Sequence, residues 1–163
     1  MRVGFGYDSH RLVEGRRFVL GGIEIPFEKG LLGHSDADAL LHALGDAILG
    51  ALGERDIGTH FPDTDPAWKD ISSLVILERI HGMMKAKGYE VNHIDATIVL
   101  ENPKLAPFIP EMAGKIAGTL EMAADRLSIK AKTNEGMGFI GRGEGIAVFA
   151  VVLLNERADY GKR

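Results

Sequence analysis

His34-Ser35-Asp36-Ala37-Asp38-Ala39-Leu40-Leu41-His42 crosses from a glycine-rich loop, Gly30-Leu31-Leu32-Gly33, into a helical pattern. Ser35, with an acid three residues on at Asp38, is a helix-start signal, because its hydroxyl can accept an orphan backbone N–H of the first turn. Leu40, Leu41, Leu44, Ile48 and Leu52 then form an apolar stripe at helical spacing. Asp38, His42 and Asp46 recur every fourth residue on another face. The pattern predicts a helix over residues 35–52, closed by Gly53, with an anion-favouring N-terminus and a histidine one to two turns in.

Upstream, residues 2–10 alternate. Val3, Phe5 and Tyr7 share one strand face, suited to a core. Gly4, Gly6, Asp8 and His10 share the other, where the glycines leave open space beneath a carboxylate and an imidazole. Residues 17–20 and 23–25, joined by Gly21-Gly22, read as a hairpin. Downstream, residues 54–69 hold three aspartates and two prolines without a sustained period, and read as a long loop. Helical spacing returns over residues 70–87 (Ile71, Leu74, Leu77, Ile80, Met84). Residues 94–100 read as a strand, and a third helix starts near Pro107 with Phe108, Met112, Ile116 and Leu120 inward. A strand over 127–133, a glycine-rich turn over 134–145 and a strand over 146–154 complete the chain.

That order predicts an α+β fold: one domain over residues 1–163, a two-layer α/β sandwich whose mixed four-stranded sheet carries helices on one face. Residues 146–154 are apolar on both alternations. This fits either a central strand buried within its own domain or a sheet face buried against other copies of the chain.

Composition narrows the function. The net charge of −4 lacks the basic footprint of a nucleic-acid or anionic-membrane binder. The absence of cysteine leaves His and carboxylates as the ligands for any metal. The N-terminal residues enter a strand pattern with no signal-peptide run, and the longest uncharged apolar run, 145–154, is too short to span a bilayer. A cytoplasmic protein is expected.

Asp8-x-His10 on a strand and His42 on a helix supply one carboxylate and two imidazoles, a usual catalytic zinc set with the fourth position open. Taken singly, they also fit a hydrogen-bonded surface pair and a structural histidine. Asp46, one turn beyond His42, can accept its second imidazole N–H or stand as a solvated acid. His34-Ser35 suits phosphate at a helix start, or is a plain cap. Lys132-Thr133-Asn134-Glu135-Gly136 suits phosphate and a hard, Mg2+-like ion, or is a polar turn.

Longer motifs then accumulate: Gly6-Tyr7-Asp8-Ser9-His10, Gly30-Leu31-Leu32-Gly33-His34-Ser35-Asp36-Ala37-Asp38, Leu41-His42-Ala43, Asp56-Ile57-Gly58, Phe61-Pro62-Asp63-Thr64-Asp65-Pro66, Thr133-x-Glu135 and Gly138-Phe139-x-Gly141-Arg142-Gly143-Glu144-Gly145. Together they resemble the 2-C-methyl-D-erythritol 2,4-cyclodiphosphate synthase family over nearly the whole chain. The resemblance implies conversion of 4-diphosphocytidyl-2-C-methyl-D-erythritol 2-phosphate into the 2,4-cyclodiphosphate and CMP, in the non-mevalonate isoprenoid pathway. An oxygen of the substrate's own 2-phosphate attacks the β-phosphorus.

By that resemblance Asp8, His10 and His42 would hold Zn2+, and Glu135 would hold Mg2+ or Mn2+. His34 and Thr133 match transition-state stabilisers, and Ser35 would add its backbone N–H. Ser9, Asp56, Ile57, Gly58, Phe61, Asp63 and Asp65 would contact substrate, with residues 36–38 and the long loop as mobile covers. The cytidine would sit against Leu100, Lys104, Leu105 and Ala106, near Ala131 and Lys132. The family is a homotrimer with active sites between neighbours, sheets facing one another around a three-fold axis, which favours the second account of the last strand. Phe139 and Arg142 match positions that line a central cavity for isoprenoid diphosphates in some members, or serve as trimer contacts. The same metal ligands would also serve a phosphohydrolase, or a non-catalytic binder.

Overall fold

The computed structural model describes residues 1–157. Its elements are β1 (Arg2–Glu14), β2 (Phe18–Leu20), β3 (Ile23–Ile25), β4 (Lys29–Leu32), α1 (Ala39–Leu52), α2 (Ile57–His60), α3 (Ser73–Ala86), β5 (Tyr89–Val99), α4 (Ile109–Thr119), β6 (Leu127–Lys132), α5 (Gly138–Gly141) and β7 (Gly145–Glu156). The main sheet has five strands in the order β4-β1-β7-β5-β6, and β2-β3 form a separate hairpin. Only β5-β6 is parallel, so the sheet is mixed, with the helices packed on one face. The α+β sandwich expected from the element order is therefore present. The extra strand is β4, which pairs with the far end of β1. Gly30 hides it as a loop, although its backbone is extended and its missing side chain lets the carbonyls of Arg16 and Arg17 pass close by.

The faces of β1 are the reverse of the periodicity reading. Gly4 and Gly6 leave no open space, because α1 lies directly on them. A Cβ on Gly4 would fall 1.8 Å from the Ala47 carbonyl oxygen, and one on Gly6 1.9 Å from that of Ala43. Four helical residues rise ~6 Å and two strand residues ~6.7 Å, so helix and strand stay in step over this contact. The stripe Leu40, Leu41, Leu44 and Ile48 is fully buried. Val3, Phe5 and Tyr7 face the other way and are 68%, 63% and 46% exposed, beside Phe149 and Val151 of β7. Thus β7 is central, buried on its helix face through Ile146, Val148, Ala150, Val152 and Leu154, and open on the opposite face.

Helix α1 starts four residues later than the serine signal predicts. Asp38 is its N-cap: the carboxylate accepts from Leu41 N–H at 3.1 Å and, on the other side, from Gly21 N–H at 2.9 Å and Gly22 N–H at 2.7 Å. Gly21 and Gly22 both have positive φ, as a tight hairpin turn requires. One fully buried carboxylate thus joins the hairpin to the helix. The long middle segment is not featureless either, since α2 and a 3-10 turn over Pro66–Trp68 lie within it. The short helix α5 lies within the segment read as a glycine-rich turn, and the remaining helices and strands match their sequence readings to within a few residues, β5 extending five residues further back.

Replacing Gly6 by Val pushes side-chain atoms into the Ala43 carbonyl, so Gly6→Val is expected to destabilise the fold by ~3 kcal/mol, the upper end of overpacking penalties. Denaturant unfolding measures this, and an unchanged midpoint would contradict the packing described.

Candidate active site and metal triad

The close approach of α1 to β1 carries His42 to the two polar residues that follow Gly6 on the same strand face. Asp8 Oδ2 lies 2.9 Å from His10 Nε2 and 3.0 Å from His42 Nδ1, and the two ring nitrogens are 3.3 Å apart. These are the residues whose donor atoms converge as a metal cluster among the described residues. A tetrahedral zinc with ligands at ~2.05 Å spaces its donors ~3.3 Å apart, so the set fits a metal in size and chemistry. His10 Nδ1 donates to the Leu32 carbonyl at 2.8 Å, which turns Nε2 toward the triad, to carry a proton to Asp8 or to take a metal in its place. Ser9 N–H donates to Asp8 Oδ1 at 2.8 Å and fixes the carboxylate's other oxygen.

The triad sits in a cavity of about 530 Å³ lined also by His34, Ser35, Ile57, Gly58, Phe61, Asp63, Trp68 and Ile76. Phe61 meets Trp68 edge to face at 5.1 Å, and the Arg79 guanidinium covers the Trp68 ring at 5.1 Å. Trp68 and Ile76 are cavity residues that the sequence reading missed; the one tryptophan of the chain, in a polar segment, was the available signal. Asp56 and Asp65 are also engaged in local structure. Asp56 caps α2 by accepting from Thr59 N–H and Oγ1, and Asp65 accepts from Ala67 N–H.

Three sequence expectations change here. First, His34 and Ser35 precede the helix, whose N-cap is the buried Asp38 rather than Ser35. Second, residues 36–38 are anchored rather than loose: Asp38 is wholly buried, Asp36 N–H donates to the Ile71 carbonyl at 3.1 Å, and the His34 carbonyl accepts from Asp70 N–H at 2.9 Å. Third, Asp46 is not the partner of the second His42 ring nitrogen, nor does it stand free. It accepts from Ile57 N–H at 2.8 Å and so holds the start of α2 against α1.

The remaining residues lie elsewhere. Asp8, Val148, Ile98 and Ala131 form one row across four adjacent strands. Three inter-strand steps place the end of β6 ~14 Å from the triad within one chain. There Thr133 Oγ1 donates to Glu135 Oε1 at 2.8 Å, in a turn pinned by Glu101, which accepts from Asn134 N–H at 2.7 Å. Glu101 was not anticipated. Leu100 N–H donates to the Lys132 carbonyl at 2.9 Å, joining those two segments. Leu100 and Leu105 point their side chains into the core, whereas Lys104, Ala106, Ala131 and Lys132 are exposed. Ser9, Phe139 and Arg142 line a second cavity of about 630 Å³, in which Arg142 pairs with Glu144 at 2.8 Å.

Electrostatics inside the triad are mutual. Burial pushes the Asp8 carboxyl up, but hydrogen bonds from His10 and His42 outweigh it and hold the group at about 2, below the ordinary 3.8. Burial likewise works against a charged His10, yet the Asp8 hydrogen bond raises it above 6.5. In the metal-free protein the Asp8 contribution is present above 3.8 and lost as pH falls through about 2, while the His10 contribution is present below 6.5 and lost as pH rises through its raised value. The stability difference between parent and Asp8→Asn is therefore expected to peak between about pH 4 and 6.5. Its size is on the order of 2 kcal/mol. Urea melts of chelated protein across pH check this, and a flat difference contradicts it.

Residues 1–155 match the family model described as the YgbB family. A 2-C-methyl-D-erythritol 2,4-cyclodiphosphate synthase of Syntrophus aciditrophicus (strain SB) is 60% identical over 159 residues, 98% of this chain and 100% of that one. A solved 2C-methyl-D-erythritol-2,4-cyclodiphosphate synthase in a CDP-bound form superposes with a TM-score of 0.87 at 40% identity, over 94% of this chain and 100% of that one. The bifunctional IspDF of Campylobacter jejuni superposes with a TM-score of 0.91 at 41% identity; 95% of this chain is covered, against 42% of that longer protein. No described helix is long and apolar enough to cross a membrane. By sequence, fold and length, this chain belongs to the 2-C-methyl-D-erythritol 2,4-cyclodiphosphate synthase family.

Proposed function

We propose that the chain, working in the cytoplasm, cyclises 4-diphosphocytidyl-2-C-methyl-D-erythritol 2-phosphate to the 2,4-cyclodiphosphate with release of CMP. The observation that carries the reading is the convergence of Asp8, His10 and His42 on one cavity. Zn2+ held by that triad, and Mg2+ or Mn2+ held by Glu135, would supply Lewis-acid polarisation and charge neutralisation. The nucleophile belongs to the substrate, so the protein's own work is to fold the chain of phosphates into a ring-forming pose and to neutralise developing charge. His34 and Ser35 at the cavity rim, and Thr133 at the end of β6, are the groups assigned to that task. Ser9 adds a contact from β1. Asp56, Ile57, Gly58, Phe61, Asp63 and Asp65 enclose the methylerythritol unit. Lys104, Ala106, Ala131, Lys132 and the backbone at Leu100 and Leu105 receive the cytidine. The CDP-bound relative supports a cytidine subsite of this kind.

The ~14 Å between the triad and the Thr133 end of one chain supports a site shared by neighbouring chains. The open apolar face of Val3, Phe5, Tyr7, Phe149 and Val151 supports a homotrimer with its sheets facing inward. The cavity beside Phe139 and Arg142 would then face the shared axis, where an isoprenoid diphosphate is the fitting guest: an apolar ring for the tail and a guanidinium for the head. Such a guest would compete with Glu144 for Arg142.

Incubation with the cytidyl substrate followed by phosphorus NMR tests the reaction. CMP with a cyclic product is expected; a linear phosphate product would identify a hydrolase instead, and no turnover a binder. His42→Ala should lower turnover ~10³-fold or more, since a Lewis-acidic metal contributes several kcal/mol. For the assembly, Val151→Glu should reduce the light-scattering mass from about three chains of 17.7 kDa to one and abolish turnover. An intact trimer would contradict the assigned interface.

A further inference from the structure

His42 has a second ring nitrogen, and its partners lie outside the triad. Nε2 lies 3.0 Å from Ser73 Oγ and 3.2 Å from Ser35 Oγ. Ser73 opens α3 and is 1% exposed. Its hydroxyl carries one proton, which it donates to Asp36 Oδ1. Asp36 is held to that arrangement from the backbone side: Oδ2 accepts from Ser73 N–H at 2.9 Å, and Oδ1 accepts from Asp38 N–H at 3.2 Å. With its proton committed to the carboxylate, Ser73 Oγ can only accept from His42. With a divalent metal in the triad the ring proton is then on Nε2, where Ser73 Oγ receives it, and the Nδ1 lone pair beside Asp8 and His10 is left for the metal. His10 is fixed in the complementary sense by the Leu32 carbonyl, so both lone pairs point at one position.

We propose that Asp36 and Ser73 are positioning residues that set the tautomer and orientation of His42 for a divalent metal. This rests on the metal reading of the triad. The carboxylate acts through the serine, so neither residue touches the metal itself. The arrangement takes the place of Asp46, whose carboxylate is engaged at Ile57. It also gives Asp36 and Asp38 separate duties two residues apart, one toward the site and one toward the hairpin.

Zinc affinity by chelator competition tests the proposal without recourse to turnover. Ser73→Ala removes the acceptor, and Asp36→Asn keeps the size but offers one acceptor oxygen in place of two. Each is expected to weaken zinc binding 10–100-fold, roughly the effect of losing a hydrogen-bonded partner behind a metal ligand. Proton spectra of the zinc-loaded protein supply a readout that mere loss of packing would not move. The His42 Nε2–H of the parent should give a downfield, slowly exchanging resonance, and both variants should shift it upfield and let it exchange with water. Should Ser73→Ala fail to fold, Asp36→Asn with the parent spectrum decides. Variants that bind zinc as tightly as the parent, or a parent whose Nε2–H exchanges freely, overturn the relay while leaving the metal reading intact. A parent that binds no zinc overturns both.

Discussion

The backbone of α1 rests directly on Gly4 and Gly6, and most of the molecule follows from that contact. Glycine within a strand costs roughly 0.5–1 kcal/mol relative to alanine. Each leucine that α1 buries across β1 and β7 contributes ~1.5–3 kcal/mol, so the close approach is favourable overall. It also has a direction. The helix runs back along the strand, with Ala47 over Gly4 and Ala43 over Gly6, so the next polar residue of β1 meets the helix at its first turns. Asp8 and His42 meet there, and a side chain at either glycine would separate them.

A second constraint is the charge buried where the hairpin, helix and site meet. Asp38 is completely enclosed, and burial pushes its carboxyl up while three backbone N–H donors draw it down. Such a group is tolerable only when its lone pairs are filled. Movement of the hairpin turn would therefore disturb the start of α1, and with it the ring of His42 one turn on. Asp36 is tied to α3 by the same logic, so α1, α3 and the hairpin are coupled through two acids in a three-residue stretch.

Much of this was legible in the sequence, for reasons that differ by element. The three long helices α1, α3 and α4 and strand β7 announce themselves by apolar period, and the hairpin by Gly21-Gly22. Which side of β1 the helix covers was not legible, because alternation separates two faces without labelling them. The bulky apolar face looked like core, and the glycine face was the one in tight contact. Ser35 and Asp38 are both good caps, and only the hairpin N–H groups decide for Asp38. In the site, Asp8, His10 and His42 stood out by residue type. Their convergence needed the fold, and the bonds from Ser73 to His42 and from Glu101 to the Asn134 turn join residues more than 30 apart, which no local pattern encodes.

The two outermost strands of the main sheet bear on how copies of this chain can meet. β4 is only four residues long, and β6 ends in Lys130-Ala131-Lys132. Short rims and lysines both discourage a further strand from docking on the unpaired N–H and C=O groups of a sheet edge. The broad apolar face has no such protection. An added strand recreates the edge it covers, and so invites growth without limit. A face is consumed once another surface lies on it. The chain thus leaves open the one route of self-association that saturates and blunts the one that leads to fibres.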